Sequence, residues 1–179
     1  MRRAASQPTR IHVPDALAPG ASVALPPAAA HHLSRVLRAA LGDDVVVFND
    51  GAEYAAAITR IDKTGVVVKV ASGDAVDRET PLRCVLAQAI SSGERMDLTL
   101  QKAVELGIAG VQPLYSERSV VRLDAERAGK RVAHWRQVMV AACEQCGRNI
   151  IPGLAAPVSV IDWLGVLPAA GAGELRVLL

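Results

Sequence analysis

Aromatic residues are scarce in this chain of 179 residues, which has one Phe, two Tyr and two Trp. This scarcity argues against a nucleic-acid surface that works mainly by stacking bases on aromatic rings. Three cysteines and no secretory signal exclude a disulfide framework and favour a reducing, cytoplasmic compartment. The longest apolar runs are far shorter than a membrane span, so we expect no membrane segment.

Common nucleotide-binding and hydrolytic motifs are also missing. The chain has no Walker sequence, no GxSxG, no HExxH and no GxGxxG between a strand and a helix. Its one Cys-x-x-Cys pair, Cys143 and Cys146, has no second pair or histidine cluster at zinc spacing, so we expect no metal. The pair falls late in a predicted helix, and we therefore expect both cysteines to pack.

Charge is distributed unevenly although the net charge is only +2. Residues 1–38 carry five Arg and one Asp, and residues 95–148 carry nine basic and six acidic side chains. Between them, residues 39–94 carry five basic and nine acidic side chains. Two basic blocks suit an anionic partner that touches two surfaces, although ordinary surface charge would give the same pattern.

The pattern of the first part of the chain predicts a small β-barrel. Thr9–Val13 is a short strand, and the prolines at 26–27 begin a helix that we expect to end at Gly42. Residues 44–70 contain three short β runs separated by turns. Residues 71–81 are polar and acidic and end in proline, which is typical of a linker.

From residue 82 onward, buried-type strands alternate with helices, which predicts a parallel sheet covered by helices. Ser91 and Glu94 have capping-box spacing at the start of one helix, and Asp124 can cap a longer one. Residues 174–179 predict a last strand. The long helix carries an apolar stripe of Ala128, Val132, Trp135, Met139, Ala142 and Cys146.

Polar residues at helical spacing indicate candidate binding surfaces on the first two helices. His32, Arg35 and Arg38 recur every three residues, which predicts a basic strip that either faces solvent or contacts phosphate. Lys102 and Glu105 can form an ordinary surface ion pair or belong to a site.

Two further polar strings follow. Glu144, Gln145 and Arg148 have spacings of three and four that place them on one helical surface. Arg118 and Ser119 lie in a string of hydroxyl and guanidinium groups that can hold phosphate or form a plain strand edge.

Four strings together resemble one family. HHLSRVLRAALGD (31–43), GERMDLTLQKAVELG (93–107), PLYSERSVVR (113–122) and AACEQCGRNIIP (141–152) are similar in order and spacing to the bacterial ribosomal RNA small subunit methyltransferase E family. Members of that family use S-adenosylmethionine to methylate N3 of a uridine in 16S ribosomal RNA, and they belong to the SPOUT superfamily of knotted methyltransferases.

The resemblance implies an α/β fold class with two domains. Residues 1–72 would form a PUA-like barrel that helps to hold 16S ribosomal RNA or the small ribosomal subunit. Residues 80–179 would form a SPOUT-type α/β domain with a trefoil knot, in a homodimer whose active site lies near the interface. By motif match, the RNA-binding residues would be Arg10, His32, Arg35, Arg38, Lys102, Ser119 and Gln145, and the catalytic residues Arg118, Glu144 and Arg148.

The chemistry implied by the resemblance leaves individual roles open. A cation stabilises the developing uridine anion, which suits Arg118 or Arg148, and either could instead hold a phosphate. We expect Arg118→Ala and Arg148→Ala to lower methyl transfer far more than stability. Glu144 or Glu105 could act as base, but pairing with arginine would lower the carboxyl pKa, so we expect Glu144 to orient.

The resemblance covers about residues 9–152. Family members continue into a glycine-rich GPEGG-type loop and a later LG-x-x-ILR-x-ETA stretch, which form the knot and most of the cofactor pocket, and residues 153–179 contain neither. We therefore expect an incomplete knot, assign no cofactor-binding residue, and expect Val177, Leu178 and Leu179 to be exposed. An RNA-binding fragment without catalysis and an unrelated small-molecule α/β enzyme are the alternatives.

Overall fold

The computed structural model describes residues 8–49, 51–116 and 125–178. The N-terminal unit of these residues is built on a five-stranded sheet in the order β1-β3-β4-β5-β2. β1 and β3 pair in parallel, and the other neighbours are antiparallel. The strands are β1 (Thr9–His12), β2 (Ser22–Ala24), β3 (Asp44–Asn49), β4 (Ala52–Asp62) and β5 (Gly65–Ala75).

Every second residue of the valine-rich runs in β3 and β5 contributes to the core of the N-terminal unit. Val45 and Val47 on β3 and Val66, Val68 and Val70 on β5 are buried, because every second residue of a strand points to the same face. The three predicted β runs are therefore confirmed. The last strand runs to residue 75, so the prediction of a linker from residue 71 was wrong at its start.

A helical segment connects β2 to β3. α1 (Pro27–His31) continues into a π-helical turn (His32–Val36), in which the Leu37 N–H donates to the His32 carbonyl oxygen at 3.0 Å. Arg38 then takes a φ of 50°, a left-handed conformation that a helix cannot continue through. The predicted helix is confirmed at its start, but its predicted end at Gly42 is wrong.

The C-terminal unit has a parallel sheet in which β7 (Gly110–Tyr115) pairs with every other strand. This confirms the predicted parallel sheet. The last predicted strand is wrong over residues 174–178, which form none. Val177 and Leu178 are exposed, as expected, and Leu179 lies outside the described residues. The remaining elements are β6 (Val85–Ala89), α2 (Glu94–Glu105), α3 (Ala125–Cys146), β8 (Gly153–Leu154), β9 (Val158–Ser159) and α4 (Val160–Val166).

α2 and α3 pack against each other and bury the core of the C-terminal unit. On α3, Trp135, Met139 and Cys143 follow at intervals of four and are fully buried. Cys146 is exposed, so the predicted stripe is wrong at its last position and only one of the two cysteines packs. Cys146 is the last residue of α3, and the buried position at this end of the helix is taken by Cys143, four residues after Met139.

The predicted capping box of α2 is also wrong. The N-cap residue is Gly93, with a φ of 56°, and it makes no side-chain cap hydrogen bond. The Ser91 hydroxyl oxygen is buried and has no hydrogen-bond partner among the residues that the structure describes. Asp124, the predicted cap of α3, lies outside those residues.

Phe48 joins the two units. It lies on β3 of the N-terminal unit, yet its fully buried ring packs in the core of the C-terminal unit with α2 and α3 residues. The Arg10 guanidinium carbon lies 4.8 Å from the centre of the Phe48 ring. The cross-strand partner of Phe48 on β4 is Glu53, so the buried ring and a carboxylate are neighbours where the two units meet.

In the described ranges, no helix combines the length and apolar character needed to span a bilayer.

Candidate functional site

The polar residues at the end of α3 contact different parts of the molecule. Glu144 accepts a hydrogen bond from the His12 backbone N–H at 3.0 Å, whereas Gln145 is exposed beside a cleft between α2 and α3. Arg148 lies beyond the helix, after Gly147 with its φ of 90°. The prediction that Glu144, Gln145 and Arg148 share one surface is therefore wrong, because the left-handed glycine sends the chain away from the helix.

Arg148 is buried within the protein. Its guanidinium group donates through Nε and Nη2 to the two carboxylate oxygens of Glu79, the first at 3.2 Å, and through Nη1 to the Val104 carbonyl oxygen at 3.1 Å. This side chain is only 7% exposed. Its contacts tie the segment between the two sheets to the end of α2, which favours a structural role over a direct contact with substrate.

The carboxyl group of Glu144 keeps its proton to a higher pH than that of an ordinary glutamate. Burial raises the pKa of its carboxyl group, and the His12 N–H and the charges of His32 and Arg10 oppose that rise only in part. Pairing with an arginine would lower this pKa, but Arg148 pairs with Glu79 instead, so that condition is not met at Glu144. The contact between Glu144 and β1 agrees with an orienting role for this residue.

Arg10 bridges the two units. Its Nη1 donates to Glu53 Oε2 at 2.6 Å, and its Nη2 donates to Asn149 Oδ1 at 2.5 Å. The side chain is 15% exposed. The predicted contact of Arg10 with RNA stays a prediction, and the structure shows a guanidinium group already engaged inside the protein.

A second arginine binds the same carboxylate. Arg78 donates to Glu53 Oε1 at 2.8 Å and to the Gly147 carbonyl oxygen at 2.9 Å. Burial raises the pKa of Glu53, but the Arg10 hydrogen bond and the charges of Arg78 and Arg10 outweigh it and hold the pKa below its ordinary value. We call the full set the junction: Arg10, Glu53, Arg78, Glu79, Glu144 and the turn Gly147–Asn149.

Sequence reasoning missed five junction residues: Glu53, Arg78, Glu79, Gly147 and Asn149. A usable signal was present, since the acidic linker contains one arginine and the glycine that ends α3 is followed at once by Arg148 and an asparagine. Nothing local indicated that these two strings meet.

The predicted basic strip is present on the surface of the N-terminal unit. His32, Arg35 and Arg38 are all exposed, on or just after the π-helical turn. Val36, between two of these cations, is 60% exposed. This surface can bind phosphate groups through its cations.

The other predicted site residues divide into two groups. Lys102 and Glu105 form the predicted ion pair at 2.7 Å, and a hydrogen bond from Lys102 lowers the pKa of Glu105, which makes Glu105 a weak base. Arg118 and Ser119 lie within 117–124, outside the described residues.

The buried thiol of Cys143 shows no sign of activation. Burial raises the pKa of Cys143 to about 12, so its thiolate is a negligible species at neutral pH. Among the described residues, no group of three or more His, Cys, Asp or Glu side chains is arranged to hold a metal ion.

The two junction glutamates are expected to give opposite pH dependences of stability. Glu53, with its lowered pKa, stabilises the fold above the unfolded value of about 4.5, and this contribution is lost as pH falls through the folded pKa. Glu144, with its raised pKa, contributes fully below the unfolded value, and this contribution is lost as pH rises through the folded pKa. Glu53→Gln should therefore lower the free energy of unfolding at neutral pH, and Glu144→Gln should raise it.

Urea unfolding of both variants and the parent protein across this pH range measures the effect. Both differences should shrink as pH falls below the unfolded pKa, where the parent glutamates are neutral too. Differences of the same sign at neutral pH would contradict the assignment of burial to Glu144 and of ion pairing to Glu53.

Two family models match this chain. The RNA methyltransferase PUA domain matches residues 25–71, and the RNA methyltransferase domain matches residues 78–177. The second match continues past residue 152, where the resemblance of the sequence motifs ends. The first match includes β3, β4 and most of β5, and the second includes all strands of the C-terminal unit.

Curated relatives carry one name. The ribosomal RNA small subunit methyltransferase E of Buchnera aphidicola subsp. Acyrthosiphon pisum is 31% identical over 135 residues, which are 74% of this chain and 53% of that protein. The protein of the same name from Bacillus subtilis is 31% identical over 123 residues, 68% of this chain and 48% of that protein. The chain thus spans about half the length of the curated relatives it matches.

Solved structures agree in fold. A methyltransferase of Legionella pneumophila, solved with the bound cofactor SAM, is 42% identical with a TM-score of 0.87, over 90% of this chain and 67% of that one. The ribosomal RNA small subunit methyltransferase E of Neisseria gonorrhoeae, bound to S-adenosyl methionine, is 40% identical with a TM-score of 0.85, over 91% of this chain and 67% of that one.

Proposed function

Because the chain belongs to the ribosomal RNA small subunit methyltransferase E family, we propose that it acts in the S-adenosylmethionine-dependent methylation of N3 of a uridine in 16S ribosomal RNA. The observation that carries the proposal is that one chain joins a parallel α/β unit of the methyltransferase type to a PUA-type unit with exposed cations. We place the units at 1–72 and 80–179, assign the second to the SPOUT class, and propose a homodimer that acts in the cytoplasm.

The chemistry requires alignment more than a strong base. Uridine N3 carries a proton at neutral pH, so the enzyme must align N3 with the methyl group and stabilise the anion as the proton leaves. S-adenosylmethionine supplies an activated methyl group. Arg118 remains the candidate cation, whereas the contacts of Glu144 and Arg148 favour orienting roles.

The carboxyl ends of β6 and β7 are where a sheet of this class binds its ligand. Ser91 lies just beyond β6, and its buried hydroxyl oxygen has no partner within the described ranges. A ligand with hydrogen-bonding groups fits this position, because a buried polar group without a partner is costly. Ser91 is therefore a residue of this chain that would help to hold the cofactor.

The basic strip should provide salt-sensitive RNA affinity. Replacing Arg35 and Arg38 together by alanine should weaken RNA binding and reduce the slope of log affinity against log salt by about 1.4 to 1.8, if each cation contacts one phosphate. Arg60→Ala is the matched control, since Arg60 is an exposed, ion-paired arginine elsewhere on the same unit. Equal losses in both proteins would exclude the strip as the RNA contact.

Calorimetry with S-adenosylmethionine, on this chain and on a longer one extended to the length of its relatives, tests the function directly. Transfer of a labelled methyl group to unmethylated small subunits, followed by mass spectrometry of the nucleosides, should locate the label at uridine N3. Salt-sensitive RNA binding by both proteins, without cofactor binding by either, would instead support the alternative of an RNA-binding protein without catalysis.

A further inference from the structure

We propose that Glu53 is a positioning residue, whose carboxylate fixes the N-terminal unit against the turn that ends α3. Its catalytic consequence rests on the proposed function, but the structural part does not. Glu53 lies on β4 and needs no contact with RNA or cofactor to act in this way. It sets where RNA held by one unit meets the other.

The Glu53 carboxylate binds two arginines that both also contact the turn Gly147–Asn149. Each oxygen of Glu53 accepts from a different arginine, from Arg10 at 2.6 Å and from Arg78 at 2.8 Å. Each arginine uses its other terminal nitrogen to reach the same turn, at Asn149 Oδ1 for Arg10 and at the Gly147 carbonyl oxygen for Arg78. Removal of this one side chain therefore detaches Arg78 from β4 and leaves the Arg10 guanidinium group without the carboxylate that fixes its direction toward Asn149.

The geometry of the bridges defines an orientation as well as an attraction. A guanidinium group is planar with donors in fixed directions, and Arg10 is further held 4.8 Å over the Phe48 ring. The receiving turn is also fixed, because the Gly51 N–H donates to the Asn149 carbonyl oxygen at 3.1 Å and Asn149 Nδ2 donates to the Val76 carbonyl oxygen at 3.1 Å. The planar guanidinium groups of the two arginines therefore connect β4 to a fixed turn, and these contacts restrain the angle between the units.

This restraint matters if both units touch RNA at once. The exposed cations lie on the N-terminal unit and the methyltransferase-type sheet lies in the other, so the target base is aligned only when the angle is correct. A substitution far from the reacting atoms that misplaces them by about 1 Å can lower the rate about a hundredfold.

The orientation can be measured on this chain without RNA or cofactor. Spin labels on Ser22→Cys and Arg131→Cys, one exposed position in each unit, report the distance between the units. Cys84 and Cys146 are exposed and must first be replaced by serine. We expect a narrow distance distribution in this reference protein.

Glu53→Ala should broaden or shift that distribution, while Asp62→Ala, which removes an exposed carboxylate from the same strand, should leave it unchanged. Arg78→Ala provides a second variant if Glu53→Ala fails to fold, because Arg78 is 41% exposed and opens only one bridge. An unchanged distribution in the folded variants would overturn the proposal.

The catalytic consequence is tested with small ribosomal subunits on this sequence extended to the length of its relatives. We expect Glu53→Ala to lower kcat about tenfold or more while the affinity for S-adenosylmethionine is unchanged, and Asp62→Ala to match the parent. Altered distances with full kcat would overturn the positioning role in catalysis. Altered distances in a protein whose parent methylates nothing would support the orienting contact and refute the proposed function.

Discussion

Glu79→Gln is expected to lower the free energy of unfolding by about 3 kcal/mol, near the lower end for breaking a buried ion pair. Its partner Arg148 is 7% exposed and would keep its full charge without a counter-charge, whereas Glu79 is 22% exposed. Denaturant unfolding at neutral pH, with the slope compared between variants, measures the loss.

Glu126→Gln is the control, because it removes the same charge from an ion pair whose side chains are 79% and 75% exposed, and it should cost less than about 1 kcal/mol. The double variant Glu79→Leu with Arg148→Met should recover much of the lost stability, since apolar groups of similar size can replace a buried pair. If Glu79→Gln and Glu126→Gln lowered the free energy of unfolding by the same small amount, the Arg148 guanidinium group would have to be hydrated in solution.

This ion pair also changes what Arg148→Ala reports. The sequence suggested a variant with low transfer and normal stability, because arginine at that position matched a catalytic-domain motif. The structure shows a guanidinium group that holds the Glu79 carboxylate and the Val104 carbonyl oxygen together, so its removal should destabilise the fold. A loss of activity in Arg148→Ala would thus be no evidence for a catalytic role.

Elements with a regular period were predictable from the sequence. Runs of valine bounded by turn residues indicated the strands β3 and β5, and intervals of four and three from Trp135 to Met139 to Ala142 indicated the buried face of α3. Pairs on neighbouring helical positions were predictable too, as the i,i+3 ion pair of Lys102 and Glu105 shows. In each case the partners lie within a few residues of each other.

The junction was not predictable in this way, because its partners are far apart in the chain. Arg10 and Asn149 are separated by 139 positions, and Glu79 and Arg148 by 69. Helical spacing instead suggested a shared surface for Glu144 and Arg148, because the stop signal of Gly147, which ends the helix in a left-handed conformation, was not applied. A single backbone dihedral angle therefore redirected a whole candidate site.

Phe48→Ala should have an effect of similar or greater size, and it should change how the protein unfolds. Removal of the fully buried ring is expected to cost about 3–5 kcal/mol. Because the ring belongs to a strand of one unit and to the core of the other, the cavity lies where the units meet. We expect the unfolding of the two units to separate into two transitions, seen as a difference between calorimetric and van't Hoff enthalpies.

Ile58→Ala is the matched control for this uncoupling. Ile58 is 1% exposed and lies within the core of the N-terminal unit, so its loss should cost about 2–5 kcal/mol without touching the contact between the units. If coupling depends on Phe48, the ratio of calorimetric to van't Hoff enthalpy should exceed that of the parent in Phe48→Ala and match it in Ile58→Ala. An equal ratio in both variants would mean that the polar contacts of Arg10, Glu53 and Arg78 suffice to hold the units together without the buried ring.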